Sequence, residues 1–199
     1  MTFDEIIAAA RAPKKIGQYI ACYNAARLEN DVALQSALPM RLFAPLMANI
    51  TLMEKMSHDR LVYRIAGENI IARLGYNPTG NNFFDLLPEL RRESTIQMCQ
   101  RILEHPCGHY STYENEYTSG RRMISESLML PIRKDEDSET IFVLGYHAHH
   151  QGTEIFRPGP KTTLAVTILE SELVDIGFGI PVMDIDTDFS VDVRQAKNA

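Results

Sequence analysis

The sequence predicts an α+β fold, in which an antiparallel β-sheet carries helices on one face. Three observations support this: two β-like segments precede a helical region and three further β-like segments, short polar turns join consecutive strands, and the apolar content suffices for one core. Strands joined by short turns pair antiparallel. The predicted strands are 50–56, 61–66, 109–118, 122–131 and 140–149.

The composition describes one globular chain of 199 residues, of which 45% are hydrophobic, with a formal net charge of -6. This acidic balance disfavours a phosphate-binding surface, because affinity for nucleic acid rests on clustered Lys and Arg. No apolar run approaches the roughly 20 residues that cross a bilayer. The sequence therefore predicts neither a nucleic-acid partner nor membrane insertion.

The N-terminal segment carries Asp4 and Glu5 where a secretory signal would carry basic residues. Cys22, Cys99 and Cys107 are odd in number and lack CxxC spacing, which favours free thiols over a disulfide framework or a zinc ribbon. Both observations predict a cytoplasmic protein.

Helical spacing marks the N-terminal region. Thr2 and Glu5 have capping-box spacing and Pro13 interrupts the pattern, so two helices, or one helix broken near Pro13, are expected. The segment 14–29 carries an apolar stripe that must be covered. It either lies on the chain's own sheet or packs against a second copy, and we favour the second, which predicts a homodimer. The stripe residues are Ile16, Tyr19, Ile20 and Tyr23.

The other helices are expected between the second and third strands, a short one around 70–74 and a longer one over 88–104. After residue 150 the signal weakens. Residues 162–169 are β-like, 171–176 favour a helix, and 184–199 form an acidic and then polar terminus.

Four short motifs occur in a characteristic order and spacing. They are Leu-Pro-Met-Arg at 38–41 followed by Pro45, Tyr-Arg-Ile-Ala-Gly-Glu-Asn-Ile at 63–70, Gly75 with Thr79 and Gly80, and Leu-Met-Leu-Pro-Ile at 128–132. Together they resemble the PAS domain family, in particular small stand-alone bacterial regulatory proteins of the alphaproteobacterial type. The chain is accordingly divided into an N-terminal helical segment (1–37), a PAS domain (38–150) and a C-terminal extension of unknown structure (151–199).

The resemblance implies a five-stranded sheet whose first strand lies between the second and the last. It also implies a cavity between the sheet and the helices of 67–104, and a sensory or regulatory role. It implies no catalytic residue and identifies no ligand. The Ile, Leu, Met and Phe content of these segments predicts a mostly apolar cavity with few polar groups.

Polar residues among apolar neighbours in the predicted strands are the candidate ligand contacts, because a few polar groups orient a ligand in an apolar cavity. Tyr63, Tyr113, Ser125 and His147 meet this description. Each is alternatively an ordinary cross-strand residue.

Arg64 is a fifth candidate, because it lies in an otherwise apolar strand. A buried guanidinium needs an acceptor to offset its desolvation. The sequence offers Glu68, Glu116 and Glu126 as partners in a structural ion pair, and the alternative is a site for an anion.

Histidine-rich stretches and enzyme-like motifs do not match known chemistry. The spacing of the histidines fits no standard metal motif, and Pro160 replaces the glycine before the lysine of a phosphate loop. No nucleophile elbow and no HExxH motif occurs in the sequence. We therefore predict no metal and no cofactor. The histidine-rich stretches contain His105, Cys107 and His109, and then His147, His149 and His150.

The predicted function is a cytoplasmic, non-enzymatic PAS sensor or regulator. It binds an unknown small molecule or protein partner and signals through protein contacts, because no kinase, cyclase or helix-turn-helix segment is recognisable in the sequence. A ligand-free, constitutive protein-interaction adaptor is the alternative, and a small enzyme using the same cavity is a third.

Overall fold

The structure, a computed structural model, describes residues 1–27, 31–87, 89–117, 120, 122–137, 141–149, 163–181 and 193–194. Within these residues the α-helices are α1 (Phe3–Ala9), α2 (Pro13–Ala25), α3 (Met40–Phe43), α4 (Glu68–Leu74) and α5 (Glu89–Glu104). The strands are β1 (Ala33–Leu34), β2 (Ile50–Ser57), β3 (Arg60–Ala66), β4 (Gly108–Tyr117), β5 (Arg122–Arg133), β6 (Ile141–His149), β7 (Thr163–Val174) and β8 (Val193–Arg194).

All of these strands join one sheet in the order β3-β2-β6-β5-β4-β7-β8, with β1 pairing in parallel to the end of β5. The strands from β2 to β7 pair antiparallel, and β2 lies between β3 and β6. The α+β fold, the five predicted strands and their order are therefore confirmed. The sheet is wider than the five strands predicted, because β1, β7 and β8 extend it.

Strand β7 is the main addition to the predicted sheet. It pairs antiparallel along β4, from Gly108 opposite Val174 to Tyr117 opposite Thr163. The helix expected over 171–176 is therefore wrong, because Ser171 to Val174 continue β7. Pairing with a long exposed edge of the sheet outweighs local preference here. The acidic terminus at 184–199 lies outside the described residues, apart from β8.

Helices α1 and α2 cover one face of the sheet. The capping box is confirmed at the start of α1, where the Thr2 hydroxyl accepts from the Glu5 amide and the Glu5 carboxylate accepts from the Thr2 amide. From α2, the Tyr19 hydroxyl donates to the Leu144 carbonyl at 2.8 Å, and the Tyr23 hydroxyl donates to the Pro131 carbonyl at 2.7 Å. Helix α2 is thus fixed to β5 and β6.

The apolar stripe of α2 is covered by its own chain. Ile16, Tyr19, Ile20 and Tyr23 are at most 3% exposed and belong to the core cluster that includes Leu128 and Leu130. The prediction of a dimer interface on this stripe is therefore corrected, because buried side chains cannot contact a second copy.

The second face of the sheet carries α4, a 3-10 helix at Phe83–Leu86, and α5. The α5 side chains Ile96, Cys99 and Ile102 pack in a second cluster with Met53 and Leu61 of the sheet. The helices between β3 and β4 thus lie on one face, as predicted. Because the N-terminal helices occupy the other face, both sides of the sheet are covered.

Cysteines Cys22, Cys99 and Cys107 are free and buried. Within the described parts of the chain, no helix has both the length and the apolar character that a membrane span requires.

Candidate functional site

A cavity of about 500 Å³ lies between the sheet and the helical layer formed by α4 and the 3-10 helix Phe83–Leu86. The sheet contributes Thr51, Tyr63, Tyr113, Asn115, His147 and Val166. The helical layer contributes Ile70, Arg73, Leu74, Tyr76, Phe83, Asp85, Leu86 and Leu87. The cavity therefore lies where the sequence predicted one, and its volume falls in the range of small-molecule sites.

The backbone of α4 sets the position of the cavity's helical wall. Gly67, which precedes α4, lies so close to the 3-10 helix at Ala44–Asn49 that a Cβ atom on it would meet the Met47 carbonyl oxygen at 2.3 Å. Gly75 ends the helix in the left-handed conformation, with φ of 79°, which glycine adopts without steric cost. These two glycines bring Ile70 and Arg73 onto the cavity wall.

A neutral polar pair forms part of the sheet wall. The Thr51 hydroxyl lies 3.0 Å from Nε2 of His147 on the neighbouring strand. Thr51 pairs with Gly145 in the sheet, and a Cβ atom on Gly145 would approach the Thr51 hydroxyl to 2.5 Å and the His147 Nε2 to 2.9 Å. The absence of a side chain at Gly145 therefore gives this pair its space.

Arg73 is the cation of the cavity. Its Nε donates to the carbonyl of Asn69 at 3.1 Å, one turn earlier in α4. Its Nη2 is buried and has no hydrogen-bond partner among the described residues. Burial and the positive charge of Arg73 lower the pKa of His147 to about 3. His147 is consequently neutral at physiological pH, and Arg73 supplies the positive charge.

Three of the predicted contacts meet in this cavity. Tyr63, Tyr113 and His147 all line it, and the Tyr63 ring meets Phe83 edge-on, with ring centroids 6.0 Å apart. Ser125 lies outside the lining. It is completely buried and accepts a hydrogen bond of 2.7 Å from the Asn115 amide, which itself lines the cavity.

Arg64 lies elsewhere, and the expectation that it is buried is wrong. A register shift in the pairing of β2 with β3 between Leu52 and Met53 leaves Arg64 without a paired residue. The Arg64 side chain is 42% exposed and forms an ion pair with Glu54 of β2, which is not one of the three partners proposed from the sequence. It borders an open surface groove together with Lys134 and Asp135.

Comparison with known proteins identifies the family. The family model of the PAS domain matches residues 13–147, more than half of the chain. The chain belongs to the PAS domain family. No curated protein matches the chain. The match begins with α2, so it includes the helix that carries Tyr19 and Tyr23.

The PAS cavity is mostly apolar, as the sequence predicted, and polar side chains from both walls enter it. The strands alternate in the usual way, but the residues they turn toward the cavity include Thr51, Asn115 and three side chains that the sequence singled out. The helical layer adds Arg73 and Asp85. Arg73 was not among the residues predicted from the sequence, although its spacing of three residues from Ile70 places both on one face of a helix.

The histidines of the PAS domain form no metal site in the described residues, where no group of three or more His, Cys, Asp or Glu could hold an ion. His109 is buried, and its Nε2 lies 2.8 Å from the Ser171 hydroxyl of β7. Burial lowers the pKa of His109 to about 4, so this neutral histidine joins β4 to the C-terminal strand. His150 lies outside the described residues.

Proposed function

We propose that this PAS domain is a cytoplasmic bacterial sensor or regulator that binds a small molecule in the cavity beside Arg73 and signals through protein contacts. The observation that carries the proposal is the cavity of about 500 Å³, in which polar side chains converge among apolar ones. A pocket that served only packing would be filled, because protein interiors are close-packed.

The titratable groups of the cavity support binding without turnover. A general acid or base works best with a pKa near the operating pH. Burial lowers the pKa of His147 to about 3 and raises the pKa of Tyr63. Neither group is tuned for proton transfer near neutral pH, so we propose a non-enzymatic role.

The proposed output passes through elements that touch both the cavity and the surface. Val166 lines the cavity from β7, the strand that the chain adds beyond β4. Occupancy of the cavity is therefore able to bias the position of β7 and of the 3-10 helix Phe83–Leu86. We propose that a second copy of the chain and an unknown protein partner read this change.

A ligand-free adaptor is the second candidate. The apolar side chains Met40 and Leu42 of α3 are 59% and 58% exposed, which suits a permanent protein contact. In that case the cavity would have no part in the function.

Native mass spectrometry of the protein purified without denaturant tests the sensor proposal. We expect an additional small-molecule mass that denaturation releases. Val166→Phe, which places a bulky ring on the cavity wall and narrows the space, is expected to abolish this mass. The matched control is Thr167→Phe, because the next residue of a strand points to the opposite face and should leave the mass in place. A fully folded protein without bound mass, and with unchanged partner binding in Val166→Phe, would favour the adaptor.

A further inference from the structure

We propose that the ligand of this cavity is a small monocarboxylic acid with an apolar body, held by the guanidinium of Arg73; the inference rests on the proposed function. Nη2 of Arg73 is buried on the cavity wall, and the described chain provides no acceptor for it. A guanidinium carries five donors, and only acceptors offset the cost of burying it. A bound molecule supplies the acceptor that is missing.

The charge of Arg73 is also uncompensated in the part of the chain that the structure describes. Ion pairs among these residues involve other cations, including Arg64, Arg122 and Arg133. Asp85 lines the same cavity but forms no ion pair with Arg73 among these residues. The hydrogen bond from Nε to the Asn69 carbonyl fixes the orientation of the Arg73 guanidinium. Nη2 remains available to an anionic ligand.

The surroundings favour one negative charge over two. Phosphate groups are typically held by backbone N–H groups at the start of a helix. Arg73 lies instead in the last turn of α4, which ends at Gly75, so the carbonyl end of the helix faces this region. The carboxylate of Asp85 adds negative charge to the wall. Both features oppose a dianion, and a carboxylate therefore fits better than a phosphate.

The remaining wall determines the body of the ligand. The Tyr63 and Phe83 rings meet at an interplanar angle of 76°, and Ile70 and Leu86 border the same space. Aromatic and aliphatic surfaces bind an apolar group of either kind. The cavity thus combines one fixed cation with an apolar chamber, which is the complement of a hydrophobic acid.

Calorimetric titration of the full chain tests this assignment. The acids are phenylacetate and octanoate, the neutral probes are phenylacetamide and octanamide, and phenyl phosphate is the dianion. We expect at least one acid to bind tenfold or more tightly than its amide, and the acids to exceed phenyl phosphate. An amide that binds as tightly as its acid, or a phosphate that binds more tightly, would overturn the assignment.

Substitution of the cation gives the matched variants. Arg73→Met keeps an unbranched side chain and removes the charge, so the preference for acid over amide should disappear. Its Tm without ligand should equal or exceed that of the wild type, because Nη2, a buried donor without an acceptor among the described residues, has been removed. Arg64→Met is the control and should keep the full preference, because Arg64 is exposed and lies outside the cavity.

A variant that retains charge covers the case in which Arg73→Met does not fold. Arg73→Lys loses the planar fork that matches a carboxylate. It should weaken acid binding several-fold and leave amide binding unchanged. Equal weakening of both would show that Arg73 serves packing and would overturn the assignment.

The two proposals fail in different ways. If acids and amides bind equally and Val166→Phe abolishes both, the sensor function stands and the carboxylate assignment falls. If no acid, amide or phosphate binds and no mass is purified with the protein, both fall.

Discussion

The Glu126 carboxylate accepts a hydrogen bond of 2.8 Å from the backbone N–H of Ala12, which joins the middle of the sheet to the turn between the two N-terminal helices. The same carboxylate accepts from the Arg11 amide at 2.9 Å and from the Tyr110 hydroxyl at 3.0 Å. Glu126 is completely buried, and a buried carboxylate is tolerated only when donors surround it. It also lies at the start of α2, where a helix favours negative charge.

Replacing this carboxylate should loosen the N-terminal helices. Glu126→Gln substitutes an amide group for one acceptor oxygen and should reduce the free energy of unfolding by about 2 kcal/mol. Urea denaturation measures the change. Glu172→Gln on β7 is the control, because Glu172 is exposed in a strand and its replacement should cost less than about 0.5 kcal/mol. Equal effects of the two substitutions would show that the burial of Glu126 contributes nothing.

Two glycines should respond to alanine in opposite directions. Gly145→Ala introduces a Cβ within 3 Å of both Thr51 and His147, so it should destabilise the fold by about 1–3 kcal/mol and reduce ligand occupancy. Gly17→Ala in α2 meets only Ile7 at 3.8 Å and should stabilise by about 0.5–1 kcal/mol. Thermal unfolding and native mass spectrometry record both effects. A stabilising Gly145→Ala would contradict the crowding argument.

Acid should destabilise the protein through its buried histidines. Burial lowers the pKa of His109 to about 4 and, together with Arg73, that of His147 to about 3, from an ordinary value of 6.5. Below pH 6.5 these histidines are therefore protonated in the unfolded chain but remain neutral in the folded chain. The free energy of unfolding consequently falls as the pH is lowered toward the folded pKa values. Each histidine should remove about 1 kcal/mol between pH 7.5 and pH 5.5.

The His109 contribution is separable by mutation. His109→Gln cannot titrate, so its free energy of unfolding should decrease by about 1 kcal/mol less than that of the wild type over this interval. Ser171→Ala removes the hydrogen bond to His109 but leaves the imidazole in place, and should lower stability while keeping a steep pH dependence. Parallel pH profiles for wild type and His109→Gln would contradict the assignment.

The sequence predicted the fold well because its signals are local. The turns and alternation that define β2 and β3, and the spacing that defines α5, lie within single segments. The extension was predicted less well, because β7 is specified by pairing with β4, about 55 residues earlier in the chain. The apolar spacing within 171–176 contains no information about the β4 edge with which this segment pairs.

The candidate site was predicted in part for a related reason. Polar residues among apolar strand neighbours are recognisable within a single segment, and Tyr63, Tyr113 and His147 were found in this way. The prediction that Arg64 is buried was wrong because the register shift in β2–β3 pairing is a tertiary feature that changes the neighbours of one residue. Arg73 was missed because the position of α4 against the sheet is fixed by the close approach at Gly67, which depends on the separate 3-10 helix at Ala44–Asn49.

The stripe on α2 provides the last test, because its original interpretation and its observed position demand opposite results. An interface stripe made charged would dissociate a dimer and leave each copy folded. Tyr19 is instead completely buried, stacks on Tyr146 with ring centroids 5.6 Å apart, and donates to the Leu144 carbonyl. Replacing Tyr19 and Ile20 with Glu buries two unpaired charges and should unfold the chain, since each costs several kcal/mol.

Circular dichroism should therefore show loss of structure for this double variant, without a folded monomer in light scattering. Tyr19→Phe is the graded version: it keeps the ring and removes the hydroxyl, so it should cost about 1 kcal/mol and leave the oligomeric state unchanged. Met40→Lys with Leu42→Lys is the surface counterpart, because both side chains are exposed on α3. The Met40→Lys, Leu42→Lys variant should stay folded. If α3 contacts a partner protein, this variant should lose only the binding of that partner. A folded Tyr19→Glu, Ile20→Glu monomer derived from a wild-type dimer would instead place the stripe at an interface.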